Sequence, residues 1–140
     1  WLSISVGLPA ESAYVVEVDP TDPDLIYAGT DTGVHTIRRQ PDQDGDGVPD
    51  SADNCTLASN PTQCDSDGDG YGNRCDGDMN NNAFTNSQDT TLFRQQLGQP
   101  SVGPTYNESD LNCNGFVNSQ DTTLFRQMLG SPPGPSGLVP

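Results

Sequence analysis

The spacing of apolar positions changes twice along this chain. In residues 1–39 it alternates: Leu2, Ile4 and Val6 are interleaved with Ser3 and Ser5, and Tyr14, Val16 and Val18 with Val15 and Glu17. Leu25–Thr30 and Val34–Arg38 then flank Asp31-Thr32-Gly33. Alternation in short runs between Pro and Gly signals predicts four short strands and a small antiparallel β-sheet head. From 40 to 77 no apolar period survives, which predicts an irregular loop segment. In residues 78–130 the spacing becomes helical: Leu92, Phe93 and Leu97 within 88–97, and Leu124, Phe125, Met128 and Leu129 within 120–129. Two short helices sharing a mini-core follow from it. Gly98 and Gly130 stand at their C-terminal stops, with Pro100 and Pro132 beyond. These helices lie in a direct repeat, because Asn86–Gln95 recurs unchanged at Asn118–Gln127 with a period of 32. Residues 131–140, containing Pro132-Pro133-Gly134-Pro135, read as an extended strap or a disordered end. The pattern therefore predicts a small multi-module chain divided at 1–39, 40–77, 78–130 and 131–140.

Composition raises the question of what holds such a chain together. Only 31% of its 140 residues are hydrophobic, while Gly and Pro number 15 and 12. A large core is out of reach, and small modules of this kind are held by metals or disulfides. The net charge is −15, with 20 acids against five basic residues, all Arg. That excludes nucleic acid and anionic membrane as partners, since both select basic surfaces. Fourteen of the 20 acids fall between Asp42 and Asp121. Cys55, Cys64, Cys75 and Cys113 predict two disulfides and an oxidising compartment. A zinc site would need C-x₂-C spacing and histidines that are missing. No apolar run approaches the ~20 residues of a membrane span. The start at Trp1, without Met or a signal peptide, reads as a processed or trimmed product.

The acids are not scattered. Four stretches, Asp42–Asp53, Asp65–Asp76, Asp78–Asp89 and Asp110–Asp121, place Asp at the first and twelfth positions and acceptor side chains at the third and fifth. Oxygens at that spacing on a turning loop enclose one hard cation. Carboxylates and amides suit Ca²⁺, which takes ~6–8 oxygens and tolerates irregular geometry, whereas Mg²⁺ demands a tight octahedron. The first loop offers Asp42, Asp44, Asp46, the Val48 carbonyl, Asp50 and Asp53; the second offers Asp65, Asp67, Asp69, the Tyr71 carbonyl, Asn73 and Asp76. In the third and fourth, amides replace the middle carboxylates: Asp78, Asn80, Asn82, the Phe84 carbonyl and Asp89, then Asp110, Asn112, Asn114, the Phe116 carbonyl and Asp121. Fewer carboxylates make these the weaker sites. About four Ca²⁺ per chain are expected. Gly47, Gly70 and Gly115 occupy the sixth position, where the loop needs a positive φ, and Ala83 stands there in the third loop as a local defect.

Residues 42–76 resemble thrombospondin type 3 repeats in Asp42 through Asn54-Cys55, in Asn60-Pro61-Thr62-Gln63 and in Asp65 through Gly72. Thr56, Cys64 and Asn73 depart from that family's usual Pro, lack of Cys and Asp. The resemblance implies a calcium-saturated wire with little regular structure and a Cys55–Cys75 disulfide, which leaves Cys64–Cys113; pairing 55–64 with 75–113 is the competitor. Residues 78–130 resemble a dockerin, a pair of EF-hand-like loop–helix units. That resemblance implies a cohesin-type partner met through Ser87-Gln88, Ser119-Gln120, Arg94-Gln95 and Arg126-Gln127, with the repeat allowing two orientations about a pseudo-twofold. Residues 1–38 resemble one blade of a sialidase-like propeller in Gly7-Leu8-Pro9, Val18-Asp19-Pro20, Ile26–Thr30 and Gly33-Val34, without the Asp-box.

No catalytic dyad, phosphate loop or cofactor motif is present, and His35, the sole histidine, has no nucleophile beside it in the pattern. The chain reads as a non-enzymatic, bacterial-type extracellular or cell-surface protein in which Ca²⁺ and disulfides replace a core. Two roles fit. A blade-like head has an N-terminal strand to give, through Leu2, Ile4 and Val6, and an edge that needs one, which predicts head-to-tail filaments. Alternatively the first strand folds back onto its own sheet, or the chain is an attachment module for a cohesin-type receptor, cut from a larger secreted protein.

Overall fold

A computed structural model describes residues 14–102 and 106–139. The strand expected at Leu2, Ile4 and Val6 lies outside the described residues. The chain divides into two compact units, Trp1–Pro41 and Asp42–Pro140.

In the first unit, β1 (Val15–Val18), β2 (Leu25–Thr30) and β3 (Gly33–Arg38) form an antiparallel sheet in the order β1-β2-β3. Val15 pairs with Gly29, and Thr30 with Gly33 across a tight turn. The Asp19 side chain organises the β1–β2 turn by accepting from the Thr21 amide at 2.8 Å, the Thr21 hydroxyl at 2.7 Å and the Tyr27 hydroxyl at 3.1 Å. Those bonds, the Thr21 hydroxyl foremost, hold its carboxyl below the usual range. Ile26 and Ala28 of the central strand are buried, while Val15, Val16 and Val18 are exposed. The β1 alternation thus buries no face, because among the described residues β1 is an edge and only β2 has a strand on either side.

The second unit is built around α1 (Ser87–Gln96) and α2 (Ser119–Met128), with a single 3₁₀ turn at Asp50–Ala52 in the irregular stretch before them. Both helices start one residue earlier than their apolar spacing suggests, because Asn86 and Asn118 act as N-caps. Each Asn side chain accepts from the helix, and the third helical residue, Asp89 or Asp121, accepts from the cap's own amide. This reciprocal box satisfies two otherwise orphaned donors. Phe93 and Phe125 stack with centroids 4.5 Å apart, and among the described residues they form a buried cluster with Leu111 and Val117, against which Met79, Leu124 and Met128 pack. Leu92, Leu97 and Leu129 are exposed instead of sharing it.

The two repeats brace each other reciprocally. The Gly98 amide after α1 donates to the Val117 carbonyl at 2.9 Å, and the Gly130 amide after α2 donates to the Thr85 carbonyl at 2.9 Å. Both pairs, like Phe93 and Phe125, are related by the 32-residue period, so the sequence repeat becomes an internal pseudo-twofold. Disulfides Cys55–Cys75 and Cys64–Cys113 tie the loop segment to itself and to the fourth loop.

The Pro-rich tail is an ordered strap over the first two loops. Gly134 donates to the Cys75 carbonyl at 3.0 Å, Thr56 to the Pro135 carbonyl at 3.0 Å, Gly137 to the Asp53 carbonyl at 2.8 Å, and the Ser136 hydroxyl to the Gly70 carbonyl at 2.7 Å. A Cβ on Gly137 would clash with the Asp50 carbonyl oxygen. Gly137→Ala is therefore expected to lift the strap and destabilise this unit by about 1–3 kcal/mol, the usual effect of overpacking, as read by thermal unfolding.

Candidate metal centres

In the two carboxylate-rich loops the chain folds around its own acids in one repeating scheme. The first-position carboxylate spans the turn: Asp42 accepts from the Gly45 and Gly47 amides at 2.9 and 3.1 Å, and Asp65 from Gly68 and Gly70 at 2.7 and 3.1 Å. The third position accepts from the fifth-position amide (Asp44 from Asp46, Asp67 from Asp69), and the fifth from the seventh (Asp46 from Val48, Asp69 from Tyr71). The ninth accepts from the second: Asp50 from Gln43 and Asn73 from Ser66. One oxygen of each middle carboxylate is thus fixed by backbone. Carboxylate oxygens of Asp42, Asp44 and Asp46 converge within 4.8 Å of one another, as do those of Asp65, Asp67 and Asp69.

The third and fourth loops repeat part of the scheme. Asp78 accepts from the Ala83 and Phe84 amides, and Asp110 accepts from Asn114 and Gly115. The seventh-position carbonyls of Phe84 and Phe116 accept from the side-chain amides of Asn86 and Asn118 at 3.0 Å each. A carbonyl has a second lone pair, so each could still meet a cation. Sixth-position residues all have positive φ: Gly47 97°, Gly70 95°, Gly115 97° and Ala83 70°. Relief of that strain should make Ala83→Gly stabilising by about 1 kcal/mol and tighten metal binding at the third loop, measured by thermal unfolding and calorimetry.

The donor set fits a hard divalent cation on its own evidence. Asp53, Asp78, Asp89, Asp110 and Asp121 are buried, and Asp44 Oδ2, Asp53 Oδ2, Asp78 Oδ1 and Asp89 Oδ1 are enclosed without a hydrogen-bond partner. Among the described residues the one ion pair, Arg38–Asp22 at 2.9 Å, lies in the other unit. Buried anions without a positive partner are strongly unfavourable. Burial pushes Asp44 and Asp69 upward, and pushes Asp76 up to about 7.

Several contributors are not apparent from loop spacing. Gln63 donates to Asp53 Oδ1 at 2.7 Å while its own carbonyl oxygen accepts from the Asn54 amide, and the Asn60 amide donates to Asp46 Oδ2 at 2.7 Å. Their signal was present in Asn60-Pro61-Thr62-Gln63, a segment without acids that nonetheless aims two of them. Glu108 joins Asp67, Asn73, Asp76, Asp78 and Met79 around a cavity of about 10 Å³ between the second and third loops. Burial, then the charges of Asp67 and Asp69, push its carboxyl up. Of the residues expected to meet a partner, Ser87, Gln88, Ser119 and Gln120 are exposed at the first turns of α1 and α2.

The thrombospondin type 3 repeat family model matches residues 40–63 and 64–93. The second match runs past Asp76 through the third loop into α1. No curated protein and no solved structure gives a match. Such repeats are calcium-binding extracellular modules with structural rather than enzymatic roles. Residues 40–93, with their paired acidic loops and the Cys55–Cys75 bridge, are similar to two thrombospondin type 3 repeats.

Proposed function

We propose that this chain is an extracellular structural module in which about four Ca²⁺, one per loop, and two disulfides do the work of a hydrophobic core. The observation that carries this is the burial of five carboxylates with, among the described residues, no ion pair to a cationic side chain. All-oxygen donors of this hardness favour Ca²⁺ over softer metals, and the irregular loops favour it over Mg²⁺. When bound, the ion supplies positive charge and cross-links chain segments; the loop residues and their backbone bonds hold the oxygens in place. On this reading residues 78–130 are a dockerin-like pair whose sites three and four are weaker than one and two. Disulfide bonding supports a location outside the cell or on its surface. Thermal unfolding should shift upward with Ca²⁺, by ~2.7 kcal/mol per site at a hundredfold excess over Kd. Equal concentrations of Mg²⁺ should do far less, and equal shifts with the two ions would overturn the assignment.

The finer role we assign is self-assembly. Among the described residues β1 is a sheet edge with exposed Val15, Val16 and Val18, and such edges accept a strand. Residues 1–6 of another copy would supply it in a heterologous, propagating contact. Negative-stain imaging should show filaments of the full chain, and none after deletion of residues 1–6, with calcium binding kept. Dispersed monomers throughout would favour docking on a cohesin-type receptor instead.

A further inference from the structure

We propose that Gln88 and Gln120, at the eleventh loop positions, are amide clamps that orient the metal-facing side chains of the third and fourth loops. In the fourth loop, Gln120 Oε1 accepts from Asn112 Nδ2 at 3.2 Å and from Asn114 Nδ2 at 3.1 Å. In the third, Gln88 Oε1 stands 3.5 Å from both Asn80 Nδ2 and Asn82 Nδ2, a looser version of the same fork. An asparagine can present either its oxygen or its NH₂ group, and only the oxygen can meet a cation. By taking both NH₂ groups, the glutamine turns both oxygens the other way. Asn112 Oδ1 then accepts from the Asn114 amide and Asn114 Oδ1 from the Phe116 amide, each at 3.1 Å. Those are the bonds that Asp44, Asp46, Asp67 and Asp69 make in the carboxylate loops.

The distribution of the glutamine follows the same logic. A carboxylate has two equivalent oxygens and needs no orienting. In the first two loops, whose middle ligands are Asp, the eleventh residue is Ala52 or Cys75; in the two whose middle ligands are Asn, it is Gln. The clamp is itself anchored, because the Gln88 and Gln120 amides donate at 2.8 Å to the N-cap oxygens of Asn86 and Asn118. Gln88 and Gln120 are thus positioning residues for the loops, beyond any part they take in meeting a partner.

This inference rests on the calcium reading and is tested on the full chain. Calcium affinity is followed by calorimetry and, for the fourth loop, by the Gly115 amide resonance. The Asn112 and Asn114 side-chain NH₂ resonances of the calcium-loaded protein give a second readout. Gln120→Leu should weaken calcium at the fourth loop about tenfold or more, the usual scale for losing a group that orients a metal ligand, and shift both NH₂ resonances. Gln120→Glu, which keeps the acceptor, should restore both. In an Asn112→Asp/Asn114→Asp background, where nothing needs orienting, Gln120→Leu should have no effect on affinity. Equal weakening in both backgrounds, or unchanged affinity and resonances in Gln120→Leu, would overturn the clamp while leaving the calcium reading intact. A wild-type protein that takes no calcium at the fourth loop would overturn both.

Discussion

Stripping calcium from the protein with excess chelator at about pH 8 is expected to expand residues 42–139 and abolish their cooperative unfolding. Four buried apolar side chains, Phe93, Leu111, Val117 and Phe125, contribute only about 1.5–3 kcal/mol each. Against them stand 14 acids between Asp42 and Asp121, several buried and none with a basic partner among the described residues. Without counter-cations that charge repels itself. Small-angle scattering should show the radius of gyration rising by roughly half, short of the full doubling of an uncrosslinked chain because two disulfides remain. Acidity should act in opposite directions on the two forms. Asp76, pushed up to about 7, carries a proton in the metal-free fold that it lacks in the unfolded chain between about pH 4 and 7. Metal-free stability therefore falls as pH rises from about 4 through 7. Calcium binding requires the ionised carboxylate, so its stabilisation grows over the same range. Melting the chelated and loaded forms at pH 5 and pH 8 separates the two trends.

The second large effect is expected from Asp121→Ala. Its carboxylate closes the fourth loop, where Oδ1 accepts from the Asn112 amide at 3.3 Å, and caps α2, where Oδ2 accepts from Asn118 at 2.8 Å. Removal takes away a metal ligand and half of a capping box at once. Groups that merely orient a ligand are worth ~10–100-fold in affinity, so losing the ligand itself should weaken calcium at this loop by about 100-fold or more. The cap should add ~1 kcal/mol of helix destabilisation. Asp121→Asn keeps an oxygen for the cap and loses the charge. It should therefore recover much of the helix signal in circular dichroism and little of the affinity in calorimetry.

The convergence of acids in the first two loops was legible in the sequence because it follows a one-residue metric. Asp42, Asp44 and Asp46 converge as their spacing requires, and the positive φ needed at the sixth position is found even at Ala83. Helix ends were legible to within one residue, since Gly98 and Gly130 terminate them chemically. Helical spacing gave an apolar face but not its centre. Phe93 and Phe125 meet across the pseudo-twofold, and Leu92 is left at the rim. The strap was half legible: Pro132–Pro135 implied an extended path, but backbone-to-backbone bonds to Asp53 and Cys75 leave no side-chain signature. Glu108 was invisible because it lies between the repeats, outside any loop, and is brought to Asp67 by folding alone.

Counting the metal decides whether calcium holds this chain together. Protein equilibrated by dialysis against buffered calcium, then analysed for calcium and protein in the same sample, should carry four Ca²⁺ per chain. Chelation in steps should remove ions from the third and fourth loops before the first and second. Two or fewer Ca²⁺ per chain at saturation would mean that the four loops do not each hold an ion.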